Sequence, residues 1–317
     1  MSSRLAIAVL LAAACLVPAG CGGSSGGKAV KEVVVDGSST VYLINRAAVE
    51  SYNKLKPEVV VVADKHGTGP GFGKYSKGEI DVVGASRPAR AAEEKLAADA
   101  GMMPWTRYVV GYDGITVVVS SKNDFVKALT VAQLKALFSP ESKVATWKDL
   151  DPSWPDRKIS LYSPDNDSGT FEFFTEAITG KSKSQRKGVQ QSSDDNQLVT
   201  GVANDVDGLG YFGYAYYVEN QGKLKSVAIQ KDDKSPAVPP SPQSILDKSY
   251  SPLARPLFIY VKNASMARPE VAGFVSHYLD NIETLAVTAG YVAPTAADVS
   301  ANKKALSTST TTDKPAG

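Results

Sequence analysis

The chain has 317 residues, and its 35 basic and 33 acidic side chains leave a formal net charge of +2. A balance this close to neutral gives no support to nucleic-acid binding or to adsorption on an anionic membrane surface. Both cysteines, Cys15 and Cys21, lie near the N-terminus. The rest of the chain therefore has no disulfide and must be stabilised by its hydrophobic core, which about 290 residues are enough to form, as two lobes.

The N-terminus has the pattern of an export signal. Residues 1–20 carry one arginine, an apolar stretch and then small residues, and the apolar stretch is too short for a stable membrane span. The signal ends in Pro-Ala-Gly before Cys21, which resembles a bacterial lipobox. We therefore expect Cys21 to be lipidated and the exported protein to be anchored at the outer face of the cytoplasmic membrane. Cys15 is a weaker alternative site, and an ordinary cleaved signal is the other alternative. Residues 21–30 contain GGSSGG and are predicted to form a flexible tether.

Strand and helix patterns alternate in the first part of the body. The predicted order is strand Val33–Asp36, helix Thr40–Lys56, strand Val59–Ala63, a short helix near Phe72–Lys77, strand Ile80–Gly84 and helix Ala91–Ala100. This order indicates an open, mainly parallel sheet with helices on both faces. In such sheets, ligands bind at the carboxyl ends of the strands.

The later part of the chain continues as an α/β pattern. Its predicted elements are strands Val109–Gly111 and Ile115–Ser120, helix Val131–Phe138, strand Lys158–Tyr162, helices Thr170–Ile178 and Gln197–Asn204, strands Leu209–Gly213, Leu224–Ile229 and Arg255–Lys262, and helix Glu270–Leu279. We expect a first lobe of residues 29–113 plus 255–300 and a second lobe of residues 114–254, joined by two crossover strands. A cleft between two such lobes is a natural ligand site. Residues 301–317 end in a Ser/Thr-rich run and are predicted to be disordered.

Short polar loops next to apolar runs carry the functional signal. They are GSST at 37–40, GTGPG at 67–71, ASRP at 85–88 and DSGT at 167–170. Glycine lets backbone N–H groups approach a ligand, hydroxyls add donors, and a helix N-terminus adds partial positive charge. Together the loops carry a single cation, Arg87, and no set of metal ligands. This inventory predicts binding of a small oxyanion without a cofactor or metal.

The order of these segments resembles the phosphate-binding proteins of bacterial phosphate ABC transporters, the PstS type, which have the class II periplasmic-binding-protein fold. The matching segments are DGSSTVYLI, HGTGPGFGKYSKGEIDVVGASRP, YDGITVVV, DSGTFEFF, DDNQLVTGVANDVDGLGYFGYAYY and RPLFIYV. The resemblance implies a monomeric, two-lobed protein that closes on inorganic phosphate. It also implies delivery of the phosphate to a membrane permease driven by an ATPase.

The resemblance also assigns residues. The positions that match the family's anion-binding loops are Ser39, Thr40 and the backbone of Val41; Thr68 and Gly69; Ser86 and Arg87; and Ser168, Gly169 and Thr170. Some members carry an arginine at the position of Pro164 and an acidic residue where Arg87 stands. The cationic partner is therefore predicted to be Arg87 in this chain.

That departure leaves the acceptor of the phosphate proton open. Asp195 is the first choice, because it lies in a segment that matches the family at a predicted helix N-terminus, and Asp167 is the second. The alternative is that Asp194 and Asp195 only cap the helix. Two other functions stay open, namely a binding protein or sensor for another tetrahedral oxyanion such as sulfate, and a secreted phosphatase. The phosphatase would use Ser39 or Ser168, but neither serine lies in a GxSxG elbow, and the chain offers no plausible histidine partner.

Overall fold

One long strand connects the two parts of the fold. The computed structural model describes residues 31–311, so the predicted signal, Cys15, Cys21, the tether and the last six residues lie outside the described residues. Strand β4 (Trp105–Ser120) pairs in its first part with β12 (Ala254–Lys262) and in its second part with β8 (Gly208–Gly213), antiparallel in both cases. The prediction of two separate strands here was wrong, because the polar interruption at Asp113 stays extended and is paired with Arg255.

The sheet is parallel in each outer part and antiparallel around β4 and β12. The other strands are β1 (Lys31–Gly37), β2 (Val59–Ala63), β3 (Val82–Ala85), β5 (Ala128–Thr130), β6 (Ser160–Pro164), β7 (Gln190–Ser192), β9 (Leu224–Ser226), β10 (Ala228–Gln230) and β11 (Ala237–Val238). The order of the main sheet is β2–β1–β3–β12–β4–β8–β6–β7, with β9 also paired to β4, and a small second sheet has the order β11–β10–β5. The predicted strand Leu224–Ile229 is two strands, since β9 pairs with β4 and β10 with β5.

Helices cover the sheet. They are α1 (Ser39–Leu55), α2 (Thr68–Ser76), α3 (Ala91–Asp99), α4 (Val131–Phe138), α5 (Gly169–Thr179), α6 (Asp195–Asn204), α7 (Tyr214–Glu219), α8 (Pro242–Leu246), α9 (Pro269–Asp280), α10 (Ile282–Thr288) and α11 (Ala296–Thr311). Their periodicity explains their burial: α1 buries Val41, Ile44, Ala48 and Tyr52 on one face. Within residues 31–311, none of the helices combines the length and the apolar character that crossing a membrane requires.

The two largest of the four hydrophobic cores among residues 31–311 lie on the two parts of the sheet. The first contains side chains from β1, β2, α1, β12 and α9, such as Val35, Ile44 and Phe274. The second contains side chains from β4, α4, α5 and β8, such as Phe174 and Tyr211, whose rings stack at 3.6 Å. This arrangement confirms the predicted two-lobed α/β class.

The C-terminal segment differs from the sequence prediction. Residues 301–317 were expected to be disordered, but α11 continues through Thr311. Although this helix is rich in serine and threonine, one of its faces contacts the first part of the sheet. There the side chain of Asn302 accepts from the N–H and donates to the carbonyl of Val109, at 3.1 and 2.7 Å. These bonds satisfy a backbone pair of β4 that would otherwise need another partner.

Candidate functional site

The N-termini of α1 and α5 meet at the carboxyl edge of the sheet. Each helix is capped by a serine, with Ser38 accepting from the N–H of Thr40 and Ser168 accepting from the N–H of Thr170. A Cβ atom built on Gly169 would lie 2.5 Å from Thr40 Oγ1 and 2.6 Å from its backbone nitrogen. Only glycine therefore permits this approach, which brings two positive helix ends together.

The second and third predicted loops are also joined. Thr68 begins α2 after β2, and Ser86 follows β3. The hydroxyl oxygens of Thr68 and Ser86 lie 3.3 Å apart, and Thr68 Oγ1 accepts from the N–H of Ser86. Both side chains are buried, so their hydroxyls are held by the fold and not by bulk water.

Arg87 lies in the cleft wall but is already paired. Its Nη1 and Nη2 donate to the two carboxylate oxygens of Glu93 at 2.8 and 2.7 Å. This bidentate pair raises the pKa of Arg87. Burial opposes ionisation of Glu93, but the bonds from Arg87 and from the Arg90 N–H outweigh it and lower the pKa of Glu93. The carboxylate of Glu93 is therefore the counter-ion of Arg87 in the cleft.

A cleft of about 570 Å³ collects many of these groups. Of the predicted site residues, it is lined by Ser39, Thr68, Gly69, Ser86, Arg87 and Asp167. The other predicted residues, Thr40, Val41, Ser168, Gly169, Thr170 and Asp195, are not among those lining it. Thr40, with Gly169 against it, is connected to the cleft through Arg255, a lining residue that donates to Thr40 Oγ1 at 2.7 Å.

Sequence reasoning missed Arg255 as a site residue. It begins the segment RPLFIYV, and an arginine immediately before such an apolar run was the available signal. Its guanidinium carbon lies 3.7 Å from the ring centroid of Phe173 on α5, and Asp113 Oδ2 is 3.4 Å from Nη2. Burial raises the pKa of Asp113 and lowers that of Arg255, although each charge favours ionisation of the other.

Asp195 is the first residue of α6 and Asp194 caps that helix by accepting from the Asn196 N–H at 2.9 Å. Burial raises the pKa of Asp195 to about 6, with further contributions from the charges of Asp194 and Asp165. A hydrogen bond from Tyr216 partly offsets these effects. Asp194 therefore caps the helix, and the carboxylate of Asp195 is not used as a cap.

Asp167 is exposed at the cleft edge, and its backbone N–H donates to Asp165 Oδ1 at 3.1 Å. A side chain in contact with water is a weaker candidate for reading the proton of a bound anion, because water screens the charge. The two predicted acceptors therefore differ in their surroundings, because burial raises the pKa of Asp195 whereas Asp167 is exposed.

A buried carboxylate fixes the loops of the first part. Asp36 is the penultimate residue of β1 and is 1% exposed. Its Oδ1 accepts from the N–H groups of Gly37 and His66, and its Oδ2 lies 2.6 Å from Lys74 Nζ and 2.8 Å from His66 Nδ1. Burial opposes ionisation, but these bonds lower the pKa of Asp36. The imidazole of His66 is therefore engaged with Asp36 at the edge of the cleft.

The fold and the loops define a two-lobed binding protein, and comparison with known proteins assigns the family. The model of the PBP superfamily domain matches residues 22–281. The chain belongs to this superfamily, among relatives of the PstS type.

Named relatives are similar over most of their length. The phosphate-binding protein PstS of Staphylococcus epidermidis is 39% identical over 274 residues, which are 86% of this chain and 82% of that protein. The protein SphX of Synechococcus elongatus is 40% identical over 265 residues, which are 82% and 77% of the two chains. The crystal structure of a possible phosphate-binding protein from Planctomyces limnophilus has a TM-score of 0.83 at 40% identity, covering 88% of this chain and 98% of that one.

Proposed function

We propose that the protein binds inorganic phosphate outside the cytoplasm and delivers it to the permease of a phosphate ABC transporter. The observation that carries the proposal is the meeting of the α1 and α5 N-termini at Thr40 and Gly169 beside the Thr68–Ser86 pair. Helix-end N–H groups and hydroxyls brought together in this way would suit a tetrahedral anion. The names of the Staphylococcus and Planctomyces relatives support the same ligand.

In this proposal, each predicted loop contributes donors. Ser39, Thr40 and the backbone of Val41 act from the first lobe, together with Thr68, Gly69, Ser86 and Arg87. Ser168, Gly169 and Thr170 act from the second. The lobes divide at about residues 113 and 255, so that residues 29–113 with 255–300 and residues 114–254 close on the anion. The first core contains residues of the first part of β4, and the second core contains residues of its second part.

The surroundings of the serines favour binding over hydrolysis. Ser168 Oγ accepts from backbone N–H groups, as a helix cap does. Among residues 31–311, no histidine or carboxylate is hydrogen-bonded to the hydroxyl of Ser39 or Ser168. A serine nucleophile needs such a base to be activated. In the proposal, the same two serines donate to the anion or position it.

Titration calorimetry of the full chain with phosphate and with sulfate tests the proposal. We expect phosphate to bind with one site per chain and sulfate to bind much more weakly. Equal affinities would assign the protein to oxyanions in general, and binding of sulfate alone would overturn the proposal. Turnover of an aryl phosphate would favour the phosphatase.

Asp195→Asn is expected to weaken phosphate binding and to narrow its advantage over sulfate at least threefold. Phosphate near neutral pH carries a proton that an ionised carboxylate can accept, whereas sulfate offers none and is repelled. Because the pKa of Asp195 is about 6, lowering the pH from 7 to 5 should protonate it and raise the affinity for sulfate. The measurement is the affinity ratio by calorimetry. Asp194→Asn is the matched control, because asparagine also caps a helix; an unchanged ratio in Asp195→Asn would assign both residues to capping.

Cys21→Ser is expected to release the protein from the membrane fraction and to leave phosphate affinity unchanged. The proposed tether separates the lipid from the binding site, so the two properties should be independent. Fractionation of cells followed by calorimetry measures both. Cys15→Ser is the control and should remain membrane-bound; retention of Cys21→Ser in the membrane would place the anchor elsewhere.

A further inference from the structure

Arg255 has an uncommitted donor edge inside the cleft. Its side chain is 13% exposed and lines the cleft beside Ser39 and Phe173. Its Nη2 donates to Thr40 Oγ1 at 2.7 Å, and its Nε and Nη2 donate to Asp113 at the longer distance of 3.4 Å. Within residues 31–311, Nη1 donates no hydrogen bond. By contrast, both Nη atoms of Arg87 are held by Glu93.

We infer that Arg255 is a phosphate-binding cation of the cleft and that Thr40 acts with it. This inference rests on the proposed function. A hydroxyl that accepts from a guanidinium directs its own hydrogen elsewhere, so Thr40 remains able to donate to an anion. An oxygen placed between them would receive one bond from Nη1 and one from the Thr40 hydroxyl. The ligand class is a tetrahedral oxyanion with at least two accessible oxygens.

Asp113 orients this arginine. Its carboxylate is 1% exposed, and Oδ1 is buried without a hydrogen-bond partner in the described part of the chain. A buried pair with long contacts and an unsatisfied oxygen adds little to stability, because desolvation opposes the attraction. The pair is better explained by a role in holding the guanidinium over the ring of Phe173, which lines the cleft together with Arg255.

The position of the pair connects the anion to both lobes. Asp113 lies on β4, the strand that runs through both parts of the fold, and Arg255 lies near the start of β12, which pairs with the first part of β4. Thr40 lies on α1 of the first part and Phe173 on α5 of the second. An anion held by Arg255 would thus be connected, through the contacts of this side chain, to α1 of the first part and to α5 of the second.

The test is phosphate calorimetry on the full chain carrying Arg255→Gln together with Asp113→Asn. Both charges are removed, so that neither is left buried alone. We expect the dissociation constant for phosphate to rise at least tenfold. The matched control is Arg157→Gln with Asp207→Asn, a second arginine–aspartate pair in which Arg157 also lies against an aromatic ring, that of Phe125, outside the cleft lining. It should stay within threefold of the original protein.

Circular dichroism and thermal unfolding establish that both double variants fold. If the cleft variant does not, Arg255→Lys replaces it and should bind phosphate at least threefold more weakly, because an ammonium cannot present a planar pair of donors. Affinity within threefold of the original in a folded Arg255 variant overturns the inference alone. Failure of the unmodified protein to bind phosphate overturns the proposed function, and this inference with it.

Discussion

Arg87→Ala is expected to weaken phosphate binding by more than a hundredfold, about 3 kcal/mol, while the fold remains intact. Two effects act in the same direction. The cleft loses a charge-assisted donor, and Glu93 loses the partner of its carboxylate, which is 14% exposed and would then repel the anion. Calorimetry with phosphate measures the loss, and thermal unfolding checks the fold.

Two further variants make the Arg87 result specific. Arg90→Ala is the matched control, because Arg90 also lines the cleft but is 63% exposed. Its ion pair with Glu176, at 3.6 Å, lies on the surface and contributes little. It should change affinity little. Arg87→Ala with Glu93→Gln separates the lost donor from the unmasked carboxylate, since recovery of affinity would assign the effect to Glu93. Near-original affinity in Arg87→Ala itself would remove Arg87 from the site.

Gly169→Ala is expected to weaken phosphate binding at least thirtyfold, about 2 kcal/mol. The added methyl group would overlap Thr40 at its hydroxyl and at its backbone nitrogen, so the N-termini of α1 and α5 must separate. The donors of the two lobes would then no longer reach one anion together. Calorimetry gives the affinity, and a shift in the small-angle scattering profile would report the separation.

Gly73→Ala is the control for the added methyl group. Gly73 lies in α2, and a Cβ there would meet no heavy atom within 4 Å. Alanine also has a higher helix propensity than glycine, so the variant should be at least as stable as the original protein. If Gly169→Ala binds phosphate as Gly73→Ala does, the contact between the two helix ends is not part of the closed site.

Local chemistry made the loops predictable. The small residues and hydroxyls of GSST and DSGT indicate helix starts that can hold an anion, and the structure places helix N-termini at both, with Ser38 and Ser168 as caps. Each signal is contained within a few residues. The strand-helix alternation that surrounds them is equally local, which is why the α/β class followed from periodicity.

Long-range pairing was not accessible in the same way. Arg255 meets Asp113 across 142 positions of the sequence and Thr40 across 215. Nothing in the apolar run after Arg255 specifies those neighbours, since the pattern of a strand predicts burial but not register. The C-terminal helix was not predicted for a related reason. Asn302 of this helix is hydrogen-bonded to backbone groups of β4, which are far away in the sequence.

The continuity of β4 has a consequence for how the protein unfolds. The first part of β4 is hydrogen-bonded to β12 and its second part to β8. Unfolding of the sheet under one core would therefore also disrupt the strand that supports the other core. We therefore expect the two lobes to unfold as a single cooperative unit, because they share this strand. A cavity made in either core should therefore lower the free energy of unfolding of both parts of the fold together.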